Sequence, residues 1–493
     1  MSFICKTWLC FRRFLPYNDG KIINQLTLLG IKKMNQEQIK SLLDSQRAYF
    51  RSGETLDLDF RLEQLEKLKT SFIKYEPKII EAAKKDMGRN EMETYLIELN
   101  WVLDELNNTI NNLKDWAKEK HVKSPEMFKA NESILKPEPL GTAFILSAWN
   151  FPTWQIFGPL LGAIAAGNTA VVKPSSTSAA CGDVINEIIE TTFSPNYIKC
   201  ILGDVEMINR FLEERFDLIF FTGSPRVGKV IQLAASKHLT PTILELGGKS
   251  PAIVDETADI EHAAKSIVRA KLFNTGQICV SVDHVYVHSS IKEKFIELCK
   301  KYMVEFYGED ASQSEDYGFI IDQRNFERLL GSLNNNGKIV FGGQSDAAKR
   351  YIAPTILDDV SESSEIMQEE IFGPIMPVLS FDSIEELVAL QKTKEKPLAL
   401  YFFSKDKKSQ DLVLAHTSSG GVTINDCMQH AASRYLPFGG VGNSGMGNYV
   451  GEATFKVFTH FKPIMIAHAN DSLDDSLSYP PYAGKVEKLK NLM

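Results

Sequence analysis

With 493 residues, the chain is roughly three times a ~150-residue domain, and its 44% hydrophobic and 24% charged side chains are those of a globular protein with more than one core. That balance excludes a collagen, a coiled-coil rod and a disordered chain, and a formal net charge of −8 offers no basic face for nucleic acid. The seven cysteines are scattered without CxxC spacing, so neither a disulfide framework nor a zinc site is expected, and a reducing, cytoplasmic compartment fits.

In chain order, residues 1–33 are basic (Lys6, Arg12, Arg13, Lys21, Lys32 and Lys33 against Asp19) but lack a long apolar run and a cleavage site. The expectation is a dispensable extension, with translation beginning at Met34. Residues 34–120 show helical spacing, with Leu65, Leu68 and Phe72 on one face and Leu96, Leu99, Leu103, Leu106, Ile110 and Leu113 forming a second core stripe. Residues 121–139 are polar, contain Pro125, Pro137 and Pro139, and read as an extended excursion. Residues 139–172 carry no charge, yet Asn150, Pro152, Pro159 and Gly167-Asn168 divide them into strand, helix and strand, which argues against a membrane span.

From 141 to 248, strand candidates TAFILSAW, TAVVKP, IKCILG, DLIFFTG and TILELGG alternate with helices over 154–166, 178–192, 205–215 and 225–237. Such alternation predicts a doubly wound parallel α/β sheet that binds a ligand at its carboxyl edge. A second α/β region follows, with VDHVYVHS, KIVFGG, APTILDDV, PIMPVLSF, LALYFFS and GGVTIND as strands, and then a tail rich in glycine and aromatic residues from Leu436.

Several residues could carry chemistry. Ser224-Pro225 after FDLIFFTG reads as an N-cap and first helical position, where free N–H groups can hold a phosphate, although the run is GSPRVG rather than GxGxxG. Cys279 in FNTGQICV sits beside Gly276, Asn274 and Gln277, a loop that could admit a second molecule; a buried small hydrophobe is the plain alternative. Glu245 in LELGGKSP is an acid in an apolar strand end, a base candidate if burial raises its pKa, or else a partner of Lys249. Asn150 in WNFP closes the first strand and could donate to an oxyanion or start a turn. Lys173 closes the next strand at the same edge, or is a solvated strand end.

WNFP, VVKPS, FTGSPRVGK, LELGGKSP, FNTGQICV, EEIFGP and LPFGGVGNSGMG occur in this order, and together they resemble the NAD(P)-dependent aldehyde dehydrogenase superfamily over nearly everything after Met34. LPFGGVGNSGMGNYVG, TFKVFTHFKP and SYPPY look most like its class 3 or fatty-aldehyde branch. The resemblance implies an α/β protein with a doubly wound Rossmann-like cofactor domain (34–118 and 142–244), an α/β catalytic domain (245–428), and a small oligomerisation extension (119–141 and 429–493). It implies Cys279 as nucleophile, Glu245 as general base and Asn150 as oxyanion donor. It further implies Lys173 at the adenosine ribose, Gly223, Ser224 and Gly228 at the pyrophosphate, and Glu370 with Phe372 at the nicotinamide ribose. The implied reaction oxidises an aldehyde to a carboxylic acid through a cysteine thiohemiacetal and thioester, with NAD or NADP as acceptor and a homodimer without membrane anchor as the assembly. Two departures stand out: Ser176 where many relatives carry an acid, which removes a group that would repel NADP, and VSV rather than VAP after the cysteine. A coenzyme A-acylating reductase of this fold would do without Glu245, a phosphate-dependent semialdehyde reductase would lack LELGGK with EEIFGP, and a non-catalytic scaffold would tolerate loss of Cys279, Glu245 or Asn150.

Overall fold

A computed structural model describes residues 34–125, 131–334, 336–467, 477 and 479–491; the extension over 1–33 lies outside the described residues. A six-stranded sheet runs Gly445–Met446, Thr242–Leu246, Leu218–Gly223, Thr142–Leu146, Thr169–Lys173, Ile198–Cys200, with its last five strands parallel. The chain therefore winds outward from Thr142–Leu146 in one direction, then returns to the other side with Leu218–Gly223. The switch point lies between those two strands, where an open α/β sheet leaves a crevice at its carboxyl ends. Thr142–Leu146 and Thr169–Lys173 are buried throughout, as parallel strands covered on both faces must be.

The uncharged run is strand, helix, strand, and every residue of the helix Pro152–Ala166 is buried. Helices Leu58–Lys74, Trp101–Trp116 and Glu452–Val457 pack around it, which explains an apolar helix without a polar face. Among the described residues no helix is long and apolar enough to cross a membrane.

Leu65, Leu68 and Phe72 are buried as their spacing predicts. The second stripe is only partly correct: Leu99, Leu106 and Leu113 are buried and Leu103 and Ile110 half-buried, but Leu96 is 38% exposed. A π-helical segment, Tyr95–Asn100, precedes the α-helix Trp101–Trp116. Its wider turn breaks the 3.6-residue period, turning Leu96 outward and bringing Ile97 and Glu98 inward.

A seven-stranded sheet holds all six strands expected after Gly248, in the order Lys338–Phe341, Thr355–Asp358, Ile375–Phe381, His284–His288, Pro251–Val254, Ala399–Phe403, Gly421–Ile424. Pro251–Val254 was not foreseen; its four residues follow two glycines too closely to stand out as a separate run. The excursion becomes Lys120–Val122 and Glu132–Pro139, which with Thr459–Ile466 form an antiparallel three-stranded sheet. The glycine-rich tail folds back so that Gly445 pairs with Glu245 across the edge of the first sheet. A Cβ on Gly445 would lie 2.4 Å from the Leu244 carbonyl oxygen, so only glycine permits this approach.

Candidate active site

Cys279 follows the helix Ile260–Leu272 and the tight turn Phe273–Gly276, in which Asn274, Thr275 and Gly276 are all left-handed (φ 50°, 55° and 75°). Two consecutive non-glycine residues in that region are strained, so the surroundings must hold them. Arg89 Nε donates to Asn274 Oδ1 at 3.1 Å, and Asn274 N donates to Glu93 Oε2 at 3.2 Å. Gln277 Nε2 closes the turn on the Asn274 carbonyl and ties it to the Phe319 carbonyl. A Cβ on Gly276 would meet the Gly373 carbonyl oxygen at 2.3 Å, so the turn can close against the EEIFGP segment only with glycine there.

The Cys279 thiol hydrogen-bonds the Glu245 carboxyl and accepts the Val280 N–H. Burial pushes Glu245 up to about 8, and its Oε1 has no partner among the described residues. The thiol is also raised, by burial first and then by the adjacent Glu245 and Glu370 charges. Lys249 is not the partner of Glu245. Its Nζ bonds Asp283 Oδ2 at 2.5 Å and the carbonyls of Ile366 and Glu369 at 2.9 and 2.8 Å.

Asn150 lies beyond the strand Thr142–Leu146, buried, with its orientation set by a relay. Ala148 N donates to Gln155 Oε1, which turns Gln155 Nε2 to donate to Asn150 Oδ1 at 3.0 Å. Asn150 Nδ2 therefore faces the Cys279 loop, donating to the Gln277 carbonyl at 3.2 Å, and its second hydrogen is left for another acceptor. Arg89 joins the two loops: besides Asn274 it donates to the Asn150 carbonyl, lies 4.8 Å from the Phe151 ring centroid and pairs with Glu98 at 2.8 Å. Glu98 Oε2 in turn accepts the Thr153 and Trp154 N–H groups, each at 3.0 Å. It thereby caps the helix Pro152–Ala166, whose own N-cap residue, Phe151, has no side-chain acceptor.

The six-stranded sheet places the other candidates along its carboxyl edge. Lys173 ends its strand buried, and that burial lowers its ammonium to about 8; Ser176 is exposed in the following turn. Ser224 caps the helix Pro225–Ser236 by accepting the Val227 N–H, and a Cβ on Gly228 would meet the Leu246 side chain at 2.7 Å. The hydroxyls of Ser147, Ser178 and Thr222 have no partner among the described residues, leaving this edge polar but unsatisfied, as a site for a polar dinucleotide would be. Glu370 crosses from the other sheet: its Oε2 would be 2.1 Å from a Cβ on Gly247, and burial raises its carboxyl to about 8. Phe372 has φ 51° and sets its ring against Trp149, 5.4 Å between centroids. Asp283 and Lys249 bracket Glu370: Asp283 Oδ1 accepts the Ile371 N–H at 2.8 Å while Lys249 holds the Glu369 carbonyl.

Cys279 and Glu245 line a cavity of about 30 Å³ together with Trp101, Trp154, Met428, Phe438 and Tyr449 among others. Trp154 is edge-to-face with Trp101 and stacks on Tyr449, and the backbones of Phe438 and Tyr449 pair to close the glycine-rich loop. Sequence reasoning did not single out Arg89, Glu98, Gln155 or Asp283. For Glu98 the only available signal was an acid within an apolar helical stripe.

Residues 20–464 match the aldehyde dehydrogenase family. The chain is 44% identical to a 4,4'-diaponeurosporen-aldehyde dehydrogenase of Staphylococcus aureus, over 90% of this chain and 96% of that protein. It is 42% identical to a dimeric NADP-preferring aldehyde dehydrogenase of Canis lupus familiaris, over 92% and 99% of the two chains. A solved structure described as the substrate-bound state of Staphylococcus aureus AldH superposes with a TM-score of 0.89 at 43% identity, covering 93% of this chain and 99% of the other. The chain belongs to the aldehyde dehydrogenase family, and its reaction is the oxidation of an aldehyde to a carboxylic acid with hydride transfer to NAD(P).

Proposed function

We propose that Cys279 is the nucleophile, Glu245 the base and Asn150 the oxyanion donor, and that the thiol–carboxyl contact between the half-buried Cys279 and the buried Glu245 carries this reading. The thiolate is the attacking species, so the Cys279 proton passes to Glu245 as the sulfur adds to the aldehyde carbon. The new alkoxide is met by the free hydrogen of Asn150 Nδ2 and by the Cys279 N–H; one such donor is worth roughly 3–4 kcal/mol. NAD(P), held along the carboxyl edge of the first sheet, would supply the acceptor for the hydride. Once the Cys279 proton has been released to solvent, Glu245 accepts a proton from the water that adds to the thioester carbon, and the Cys279 thiolate leaves; a carboxyl raised to about 8 suits this task. Cys279→Ser should abolish turnover and leave cofactor binding intact, checked by steady-state assay and fluorescence titration; turnover above roughly a tenth of wild type would remove Cys279 from this role.

Lys173, Ser176, Gly223, Ser224 and Gly228 would hold the adenosine and pyrophosphate end of the cofactor, with Glu370 and Phe372 at the nicotinamide ribose. The aromatic walls favour an apolar aldehyde. The proposed division is a cofactor part (34–118, 142–244), a catalytic part (245–428) and an oligomerisation part (119–141, 429–493); the two large sheets support it, although Glu245, Leu246 and Gly445–Met446 lie in the first sheet. The assembly is a homodimer. Support comes from the dimeric relative and from Val227, Val230 and Leu233, an exposed apolar stripe on the helix Pro225–Ser236. The cysteines among the described residues are free, and four of the five are buried, which fits the reducing cytoplasm.

A further inference from the structure

Tyr401 stands in the middle of the strand Ala399–Phe403, fully buried, in the run LALYFF. Phenylalanine occupies the two following positions, so apolar packing in this strand does not call for a hydroxyl, and a buried phenol must find partners. This one has two. It donates to the Val280 carbonyl at 2.5 Å and accepts the Met428 backbone N–H.

Both partners belong to the active site. Val280 follows Cys279 and donates its own N–H to the sulfur, so fixing the Val280 carbonyl helps fix the group that holds the thiol. Met428 lines the cavity beside Cys279 and has left-handed backbone (φ 67°), as does Asn425 (φ 59°) at the start of the same loop. Two such residues persist only if the loop is tied down. The Thr423 hydroxyl bonds His430 Nδ1 at 2.8 Å on the far side, and the Tyr401 hydroxyl supplies the tie at Met428 itself. The free space at the thiol is about 30 Å³, room for a couple of waters, so small movements of the Met428 wall decide which aldehyde fits.

We infer that Tyr401 is a positioning residue whose hydroxyl locks the nucleophile loop to the Met428 wall, setting both the presentation of the Cys279 sulfur and the chain length of aldehyde accepted. This rests on the reading of Cys279 as nucleophile. Burial raises the phenol well above its ordinary pKa, so it stays a donor across the working pH range.

Tyr401→Phe removes one oxygen and keeps the ring. The expected result is an unchanged NAD(P) dissociation constant, alkylation of Cys279 by iodoacetamide altered about fivefold or more, and a similar shift in the kcat/KM ratio for long against short apolar aldehydes. Replacement by 4-aminophenylalanine, which keeps a donor at that atom, should restore both. An unchanged alkylation rate and chain-length profile would overturn the inference, as would an equal loss on every aldehyde with alkylation unchanged. Should the phenylalanine variant fail to fold, Met428→Ala tests the wall directly: it should shift the chain-length profile and leave alkylation unchanged, and an unshifted profile sinks the proposal. Mapping the alkylated residue by mass spectrometry, together with Cys279→Ala turnover, separates failure here from failure of the nucleophile assignment.

Discussion

Burial prepares Glu245 for its proposed role as base. Its ordinary carboxyl value of 4.5 rises to about 8 because the charged form loses its water, and the Cys279 hydrogen bond recovers only part of that. Thioester hydrolysis should therefore rise with pH as Glu245 ionises and level off above about 8. Glu245→Gln should give a burst of reduced cofactor followed by slow turnover without that pH rise, read by stopped-flow absorbance. The linkage has a definite sign. A carboxyl whose folded-state pKa is raised contributes stability that is full below about 4.5 and is lost as pH rises through about 8. Thermal melting of the wild type should therefore fall more steeply over that window than melting of Glu245→Gln. Ser176 makes a second residue-scale case. It is exposed beyond Lys173, with no acid at that position to repel a 2′-phosphate, so NAD and NADP should differ by under roughly 3 kcal/mol, about a hundredfold in kcat/KM. Ser176→Glu should shift preference toward NAD by about tenfold or more, measured as the ratio of kcat/KM on one aldehyde.

Arg89 and Glu98 connect whole elements. The π-helical segment Tyr95–Asn100 aims Glu98 at the N-terminus of the helix Pro152–Ala166, and Arg89 carries the same link to the Asn150 and Cys279 loops. Both side chains are fully buried, so removing the cation strands a buried carboxylate. Arg89→Met should cost roughly 3–5 kcal/mol by denaturant titration, and adding Glu98→Gln should recover part of it. A sum of independent effects would show that the pair is not coupled. Asn274, Thr275, Phe372 and Met428 are four of the nine non-glycine residues with positive φ among the described residues, and Asn274 is held directly by Arg89, whereas Leu239, Arg350 and Asp359 adopt the same region at turns or bends elsewhere.

For the molecule as a whole, the two large sheets meet where Glu370 lies against Gly247 and the tail strand Gly445–Met446 pairs beside Glu245, so the site exists only when both sheets are assembled. The outer face of the helix Pro225–Ser236 is left with exposed Val230 and Leu233, the latter 58% exposed. Leu233→Glu should convert the proposed homodimer to monomer at micromolar concentration, since a charge in an apolar interface leaves an unpaired buried group; sedimentation velocity decides it. An unaltered dimer would place the interface elsewhere.

Much of this is legible in the amino-acid sequence. The alternation of apolar strands and helices from 141 onward predicted the strands of both large sheets apart from Pro251–Val254 and Gly445–Met446, because most of these strands are buried on both faces and therefore apolar, although the edge strands Lys338–Phe341 and Gly421–Ile424 are not. Cys279, Glu245 and Asn150 each left a plain structural alternative open when read locally, and it was the ordered set of motifs resembling the aldehyde dehydrogenase superfamily that singled them out together. What local sequence cannot record is the choice of partner across long separations. Lys249 lies four residues from Glu245 but pairs with Asp283, Leu96 leaves its stripe through one π-turn, and Tyr401 reads as one more core aromatic. These outcomes depend on which buried polar groups packing brings within 3 Å of each other, and desolvation makes each pairing decisive only once the sheets have closed around it.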